Sequence, residues 1–532
     1  MDALTSTSTH PGLSPSHPTQ SGATNIGWGQ LPAELRNQIL GDVASLVRDE
    51  ETRYPLSEAA SVSKEWQAAV EKQNFKKLVI TKHSLDRFEE LFTNSPLRQA
   101  YLKHLRFLFE LPSFKYEDDN ITGMAGMSVT PIDSCDEFAD ALARLFSILA
   151  KWDVDSIRRV GSRDGDTGLS LELSVRCSDS TDEICLRDHI PPGGQDRLPE
   201  IMTRFGHHRW ESVDSDNESE GGVFGLLELG IVTELSVLRH NCRRIDEDTL
   251  LGISLSLPLL KRIYYEPFCW PEEDFGMQGL LDNGILHPFI NLPKSPIVSG
   301  FTFLAHTFPS LLELRRTLPL WPSSLKMIHI YRHRDGTNSG PGQAQRIKSE
   351  KLARGLALRS FRLEELSACN FIEATHFFAQ AQELRLSMFG SSPTWDNLRS
   401  LTLTSLLLAK DQDRSALDAL LRDAGEVASY MPALTIMEIY NADQVGGAVF
   451  RYEIARDSAT ISWTSTWQHS IKDEVSEVWR NVAWKSRSRY EPEFVEEFLS
   501  EYYGPVAFMF SHLKTRTTAI HPTTLVDLSS QL

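Results

Sequence analysis

The chain lacks long hydrophobic runs, and its first 27 residues lack positively charged side chains. No stretch approaches the roughly 18 continuous apolar residues that span a bilayer. Residues 1–27 contain no lysine or arginine, so they lack the charged start of a secretory signal and the arginine-rich pattern of a transit peptide. We therefore expect a cytoplasmic or nuclear protein with no membrane partner.

Positive charge and cysteine are also scarce. The 532 residues include 54 lysines and arginines against 72 aspartates and glutamates, which gives a net charge of −18. Nucleic-acid binding depends on dense positive charge, so a nucleic-acid partner is not expected. The six cysteines include no C-x-x-C pair, a usage typical of reducing compartments.

Recognisable catalytic motifs are missing from the sequence. It has no G-x-x-x-x-G-K-[ST] phosphate loop, no G-x-S-x-G nucleophile turn and no H-E-x-x-H zinc helix. Residues 164–168 begin like a calcium loop, but its twelfth position is Val175 instead of glutamate. His207 and His208 have no second ligand pair at zinc spacing. We expect no enzyme activity, no cofactor and no metal.

A short helical pattern stands near the start of the chain. Pro32 suits the first turn of a helix, and Glu34 lies near the positive end of its dipole. Ser63 is placed to cap a later helix whose buried side carries Trp66 and Val70. Helices this short bury little surface alone, so they must pack on another domain or a partner. The apolar residues of the first helix recur at helical spacing, at Leu35, Ile39, Val43, Leu46 and Val47.

Three segments of this region together carry a resemblance. Residues 31–35 (Leu-Pro-Ala-Glu-Leu), the Ile39-Leu40 pair and residues 62–66 (Val-Ser-Lys-Glu-Trp) resemble the F-box of fungal F-box proteins. In that family the module binds the Skp-type adaptor of a cullin-RING ubiquitin ligase. The alternative is an ordinary helical hairpin that caps a larger domain. The resemblance implies a set of adaptor-binding residues, namely Leu31, Pro32, Leu35, Ile39, Leu40, Val62 and Trp66.

A short sequence pattern recurs through the middle of the chain. It consists of an apolar residue, two variable residues, and then one or two apolar residues in alternation, as in Leu325-x-x-Ile328-x-Ile330. The later copies begin about 36 residues apart, as in a repeat protein. Alternation suits strands, and stretches such as 413–430 have helical spacing. The arrangement resembles an irregular leucine-rich repeat, a solenoid of stacked strand-helix units. The alternative is a generic α/β domain with parallel strands joined by helices. The copies lie at 232–237, 260–263, 325–330, 363–366, 398–403 and 434–439.

Polar residues alternate with the apolar positions of these strands. In a solenoid they would face outward on one wall and contact a protein substrate, or they would merely keep an exposed sheet face soluble. The predicted substrate surface consists of His329, Arg399, Thr402, Thr404, Glu438 and Tyr440.

The last part of the chain departs from the repeat. Residues 449–454 and 459–464 alternate as two strands of a hairpin, and 471–482 have a helical stripe. A further amphipathic helix is predicted over 494–502, with Phe494, Val495, Phe498, Leu499 and Tyr502 on its apolar side. The aromatic phrase within the hairpin resembles the C-terminal region of fungal F-box proteins.

The sequence therefore predicts an α/β protein in which an N-terminal F-box-like helical module precedes an irregular leucine-rich-repeat-like strand-helix solenoid with a β-hairpin plus helix cap. Its expected function is substrate recognition for a Skp-cullin-F-box ubiquitin ligase. The alternative is a non-catalytic scaffold or regulator whose hairpin is only a cap. The predicted parts are a disordered tail over 1–27, the module over 28–75, the α/β domain over 76–445 with disordered loops near 211–222 and 333–350, and the cap and tail over 446–532.

Overall fold

The computed structural model describes residues 28–46, 61–111, 131–161, 168–177, 226–239, 245, 247–267, 317–332, 350–387, 394–455, 458–485 and 491–530. The predicted tail over 1–27, the acidic loop at 211–222, nearly all of the loop at 333–350, His207 and His208 lie outside these residues. The chain divides into two compact units, residues 1–74 and residues 75–532.

The described residues of the first unit include the helices α1 (Ala33–Leu46) and α2 (Lys64–Asn74), and a single turn at Trp28–Gln30 precedes α1. The Ser63 hydroxyl accepts a hydrogen bond from the Trp66 amide at 3.3 Å, so the predicted cap of α2 is confirmed. Trp28 stacks on Trp66 with ring centroids 5.8 Å apart. These contacts fix the start of α2 against the turn that precedes α1.

The described residues of the second unit form a twelve-stranded mixed sheet. The strands follow one another across the sheet in chain order. The first nine are parallel, the ninth to the eleventh are antiparallel, and the twelfth is parallel to the eleventh. The strands are β1 (Lys77–Thr81), β2 (His104–Leu111), β3 (Leu169–Cys177), β4 (Val232–Val237), β5 (Arg262–Tyr265), β6 (Met327–Tyr331), β7 (Glu365–Glu373), β8 (Ser400–Thr404), β9 (Ile436–Ala442), β10 (Gly447–Ala455), β11 (Ser458–Ser465) and β12 (Glu493–Phe498).

Helices connect many of these strands, and a last group follows the sheet. They are α3 (Leu85–Phe92), α4 (Pro96–Tyr101), α5 (Pro131–Leu149), α6 (Val154–Gly161), α7 (Glu247–Leu255), α8 (Glu350–Ser360), α9 (Ala374–Ser387), α10 (Arg414–Ala428), α11 (Asp473–Lys485), α12 (Pro505–His512), α13 (Arg516–Ala519) and α14 (Pro522–Ser529).

The repeated phrase has a direct structural counterpart. A strand begins within every copy, and the six strands β4 to β9 lie parallel and adjacent, as predicted. The strand register places one apolar residue of each strand side by side in a row, and this row extends to both edges of the sheet. We call it the apolar ladder: Leu78, Leu105, Leu171, Leu235, Ile263, Ile328, Leu366, Leu401, Met437, Tyr452, Ile461 and Phe494.

The main core lies on this side of the sheet. Residues of the ladder share one continuous apolar cluster with the inner sides of α5, α8, α9, α10 and α11. Burial of alternating strand residues against a helical stripe is what favours the layered α/β arrangement. The predicted helix over 413–430 is confirmed as α10, whose N-terminus is capped by the Asp413 carboxylate accepting from the Ser415 amide at 2.9 Å.

A local irregularity interrupts β7. Asn370 has a φ of 53°, a left-handed conformation that asparagine tolerates better than most residues. Its amide donates to the Thr404 hydroxyl at 2.8 Å, and its side chain donates to the Arg332 carbonyl at 3.2 Å. The register between β7 and β8 shifts in this region, so Asn370 bends the strand while its polar groups stay paired.

One secondary-structure prediction is wrong. The apolar residues over 494–502 predicted a helix, but Glu493–Phe498 forms strand β12. Phe494 and Val495 point to opposite faces, and β12 pairs with β11 over its whole length. Hydrogen bonding to the open edge of β11 outweighs the helical spacing, because strand formation depends on tertiary context more than on local pattern.

In the part of the chain that the structure describes, no helix has the length and apolar character needed to cross a membrane.

Candidate functional site

Apolar side chains stand at the surface of the unit formed by residues 1–74. Leu35 and Ile39 are four residues apart on α1, so they lie on one face, and they are 48% and 39% exposed. Pro32 is exposed, Leu31 is half-buried and Val62 is 67% exposed. The implied adaptor-binding residues are therefore largely accessible. We call Leu35 and Ile39 the α1 stripe.

Two of the implied adaptor-binding residues have other roles. Leu40 is only 2% exposed, because it lies one residue beyond the α1 stripe and points away from that face. It is part of the interior and cannot contribute a surface contact in this conformation. Trp66 is half-buried by its stack on Trp28, whose indole N–H donates to the Glu65 carboxylate at 3.1 Å. This pair supports the module from within.

A second candidate surface is the sheet face opposite the apolar ladder. Residues next to the ladder in each strand point to this face, and register aligns them into a row that is polar over most of its length. The row is exposed at its ends and buried in its middle. We call it the polar row: Val79, Arg106, Glu172, Ser236, Tyr264, His329, Ser367, Thr402, Glu438, Arg451, Ser462 and Val495.

The predicted exposure of the substrate surface is wrong for five of its six residues. Arg399 is exposed, but the five others are buried. The alternation correctly assigned all five to the face opposite the ladder, yet that face is covered by residues 505–530, which we call the strap. The buried residues are His329, Thr402, Thr404, Glu438 and Tyr440.

The strap runs back across the sheet, against the order of the strands. Its first helix, α12, contacts β9, where the Tyr440 hydroxyl lies 3.7 Å from the Met509 sulfur. Its last helix, α14, reaches the end of β5, where the Thr524 hydroxyl donates to Glu266 at 2.6 Å. The strap therefore crosses the strands from β9 to β5.

The Glu438 carboxylate is the first polar anchor of the strap. One oxygen accepts from the Arg451 guanidinium at 2.6 Å and from the Lys514 amide at 3.1 Å. The other accepts from the Thr515 amide at 2.9 Å and from the Thr515 hydroxyl. Thr402 donates to the same hydroxyl at 2.9 Å. Glu438 is fully buried, so these bonds compensate for the loss of its hydration.

The Glu266 carboxylate is the second anchor. Besides Thr524, it accepts from the His521 amide at 3.3 Å and from the Arg239 amide at 3.4 Å. Burial raises the pKa of Glu266 to about 7, although these hydrogen bonds act in the opposite direction. The carboxyl group of Glu266 thus titrates near neutrality beneath the strap.

Aromatic rings fill the space between the two anchors. The His329 ring stacks on Tyr264 at 4.7 Å, and the His521 ring of the strap meets Tyr264 edge-on at 4.8 Å. Burial lowers the pKa of His329 to about 3, so its ring is neutral near pH 7. Its Nε2 atom lies 3.7 Å from a Glu365 oxygen, beyond hydrogen-bond distance. His329 is a packed core residue.

A small apolar cluster completes the contact between strap and sheet. It is distinct from the core that contains the apolar ladder. Its sheet residues include Tyr331, Cys369, Tyr440 and Val449, and its strap residues include Phe508. Gly447 lies so close that a Cβ there would be 2.7 Å from the Phe508 ring. The strap is thus held by two carboxylates and one apolar cluster.

Sequence reasoning missed the strap and both of its anchors. The available signal was the apolar segment Pro505–Phe510, whose composition is unsuited to a solvated tail and predicts burial. Nothing local identifies Glu266 or Glu438 as anchors, because their partners are 255 and 77 residues away in the chain.

Within the described ranges, no three His, Cys, Asp or Glu side chains converge as metal ligands would. The Glu438 and Glu266 carboxylates are directed at donors of the strap, an arrangement that binds a chain segment by hydrogen bonds.

Comparison with known proteins gives one family match. Residues 317–521 match a family of unknown function, DUF6546. The matched region begins just before β6 and ends within the strap, so it includes Glu438 and Thr515 but not Glu266 or the unit formed by residues 1–74. No curated protein matches the chain.

Proposed function

We propose that the protein is a non-catalytic substrate-recognition adaptor of a Skp-cullin-F-box type ubiquitin ligase. Its first unit would bind the Skp-type adaptor through the α1 stripe and neighbouring residues, and its second unit would bind a protein substrate in the cytoplasm or the nucleus. The observation that carries the proposal is the exposure of Leu35 and Ile39 on one helical face, in a segment that resembles an F-box.

The physical argument for the docking face is the unfavourable exposure of apolar surface. Two large aliphatic side chains side by side on α1 gain free energy when a partner removes them from water. Pro32 and Val62 are also exposed. Leu40 belongs to the interior and Trp66 packs on Trp28, so we leave both out of the proposed contact and keep Leu31, Pro32, Leu35, Ile39 and Val62.

We also propose that the second unit is an irregular leucine-rich-repeat-like solenoid. Two features support this: each strand neighbours the next in chain order, and the apolar ladder repeats one residue per strand. The antiparallel hairpin of β10 and β11 would close the series of parallel strands. A repeat sheet of this kind provides a broad surface for protein partners.

Affinity purification tests the proposal. The tagged full-length chain should recover a Skp-type adaptor and a cullin, and Leu35→Asp should lose both, because a carboxylate in a desolvated apolar interface costs several kcal/mol. Leu386→Asp is the matched control, since Leu386 is an exposed leucine of α9 in the other unit. Recovery of neither protein by the unmodified chain would favour the alternative, a repeat-domain scaffold whose helical hairpin is only a cap.

A further inference from the structure

The sheet face beneath the strap has an unusual composition for a covered face. A sheet face that stays buried is normally apolar, as the ladder side is here, whereas polar residues are typical of a face that water can reach. The middle of the polar row nevertheless consists of Ser236, Tyr264, His329, Ser367 and Thr402, followed by Glu438, all buried. Such a face suits a surface that can be covered by more than one occupant.

The strap is attached to the sheet separately from the main core. It adds no strand to the sheet, and its helices have four to eight residues. Its apolar cluster is separate from the cluster that contains the ladder. Removal of the strap would therefore leave the main core covered by the helices on the other side. Few contacts with the main core are typical of segments that open independently of global unfolding.

The contacts of the strap define the chemistry of what the face binds. Glu438 accepts from two successive backbone amides and from the hydroxyl of Thr515. Lys514 forms an ion pair with Glu453 on β10. The second hydroxyl, on Thr524, reaches Glu266. These contacts suit a segment in which a lysine precedes threonine.

We propose that the strap is an autoinhibitory segment, which occupies the substrate-binding face of the sheet as an intramolecular competitor. The substrate would be a protein with an accessible basic segment that carries threonine, and it would bind when the strap is released. This inference rests on the proposed function only for the identity of the competing ligand, which would be a substrate of the ligase.

A peptide that copies the strap provides the probe. Fluorescein-labelled peptide 510–527 is titrated into the full-length chain and into the full-length variant Thr515→Val/Thr524→Val, and binding is read by anisotropy. Valine keeps the shape of threonine but removes both hydroxyl donors, and the sheet itself is unchanged. We expect the peptide to bind the double variant at least tenfold more tightly than the unmodified chain. A scrambled peptide and Glu383→Gln, an exposed residue on the helical side, are the controls.

Hydrogen exchange of the unmodified chain tests, without any substitution, whether the strap opens separately from the sheet. We expect the amides of Thr515 and His521 to exchange at least tenfold faster than those of β7 and β8. Equal protection in strap and strands would overturn the proposal, because the strap would then open only with the whole unit. If hydrogen exchange shows that the strap opens but the double variant fails to bind the peptide, the strap does not compete with a ligand for this face, and the proposal is overturned. No ligase adaptor is present in either experiment, so failure of adaptor binding leaves these results unaffected.

Discussion

Glu266 should make stability depend on pH in a defined window. Its pKa is about 7 in the folded protein against an ordinary value of 4.5. An acid whose pKa rises on folding stabilises the protein fully below its unfolded pKa, and this contribution is lost as pH rises to the folded pKa. The free energy of unfolding should therefore fall between about pH 4.5 and about pH 7 because of this residue. At 1.36 kcal/mol per pKa unit, the loss is about 3 kcal/mol.

His329 has the opposite effect over an overlapping window. Its pKa falls from 6.5 to about 3 on folding, so its contribution is present above pH 6.5 and is lost as pH falls toward 3. The two effects partly cancel in the unmodified chain. A difference measurement that leaves His329 unchanged isolates the contribution of Glu266.

The measurement is urea unfolding of the unmodified chain and of Glu266→Gln at pH 4.5 and pH 8. The unmodified chain should lose about 3 kcal/mol relative to the variant between these two pH values, because glutamine does not titrate. The exposed carboxylate variant Glu383→Gln should follow the unmodified chain. If Glu266→Gln shows the same pH dependence as the unmodified chain, the assignment of a raised pKa to Glu266 is refuted.

Three substitutions test the packing. Trp395→Ala should lower the free energy of unfolding by about 3 to 5 kcal/mol in urea melts, because this buried ring stacks on Phe361 at 4.1 Å; a loss below 1 kcal/mol would contradict the assigned packing. Gly447→Ala should speed hydrogen exchange in the strap and leave β7 unchanged, since its Cβ would meet Phe508. Asn370→Val should destabilise more than Asn370→Gly, because Asn370 has a positive φ; the reverse order of melting temperatures would contradict this.

Strands β4 to β11 were predictable because their signal is local. A phrase such as Leu398-x-x-Leu401-x-Leu403 places alternate side chains on one face, and the apolar ladder repeats this in every strand. Chain-order pairing agrees with the general tendency of consecutive strands to be neighbours in a sheet. The prediction of a helix over 494–502 was wrong because the same apolar spacing also fits a strand. Residues 493–498 pair with the open edge of β11, which favours the strand.

The candidate surfaces were predictable only in part. Exposure of Leu35 and Ile39 follows from a helix too short to cover its own stripe. The face that holds Thr402 and Glu438 follows from alternation, but its burial does not, because that depends on a segment more than 70 residues later in the chain. Long-range pairing of buried carboxylates with backbone amides leaves no periodic trace in a sequence.

The most direct test of the central claim is reconstitution with purified proteins. The full-length chain and a Skp-type adaptor should coelute from a sizing column as a one-to-one complex. The double variant Leu35→Asp/Ile39→Asp should raise the dissociation constant of this complex at least tenfold, with an unchanged circular dichroism spectrum. The control variant Leu386→Asp should bind the adaptor as the unmodified chain does. Binding by the double variant equal to that of the unmodified chain, or no complex with the unmodified chain, would contradict the proposed adaptor function.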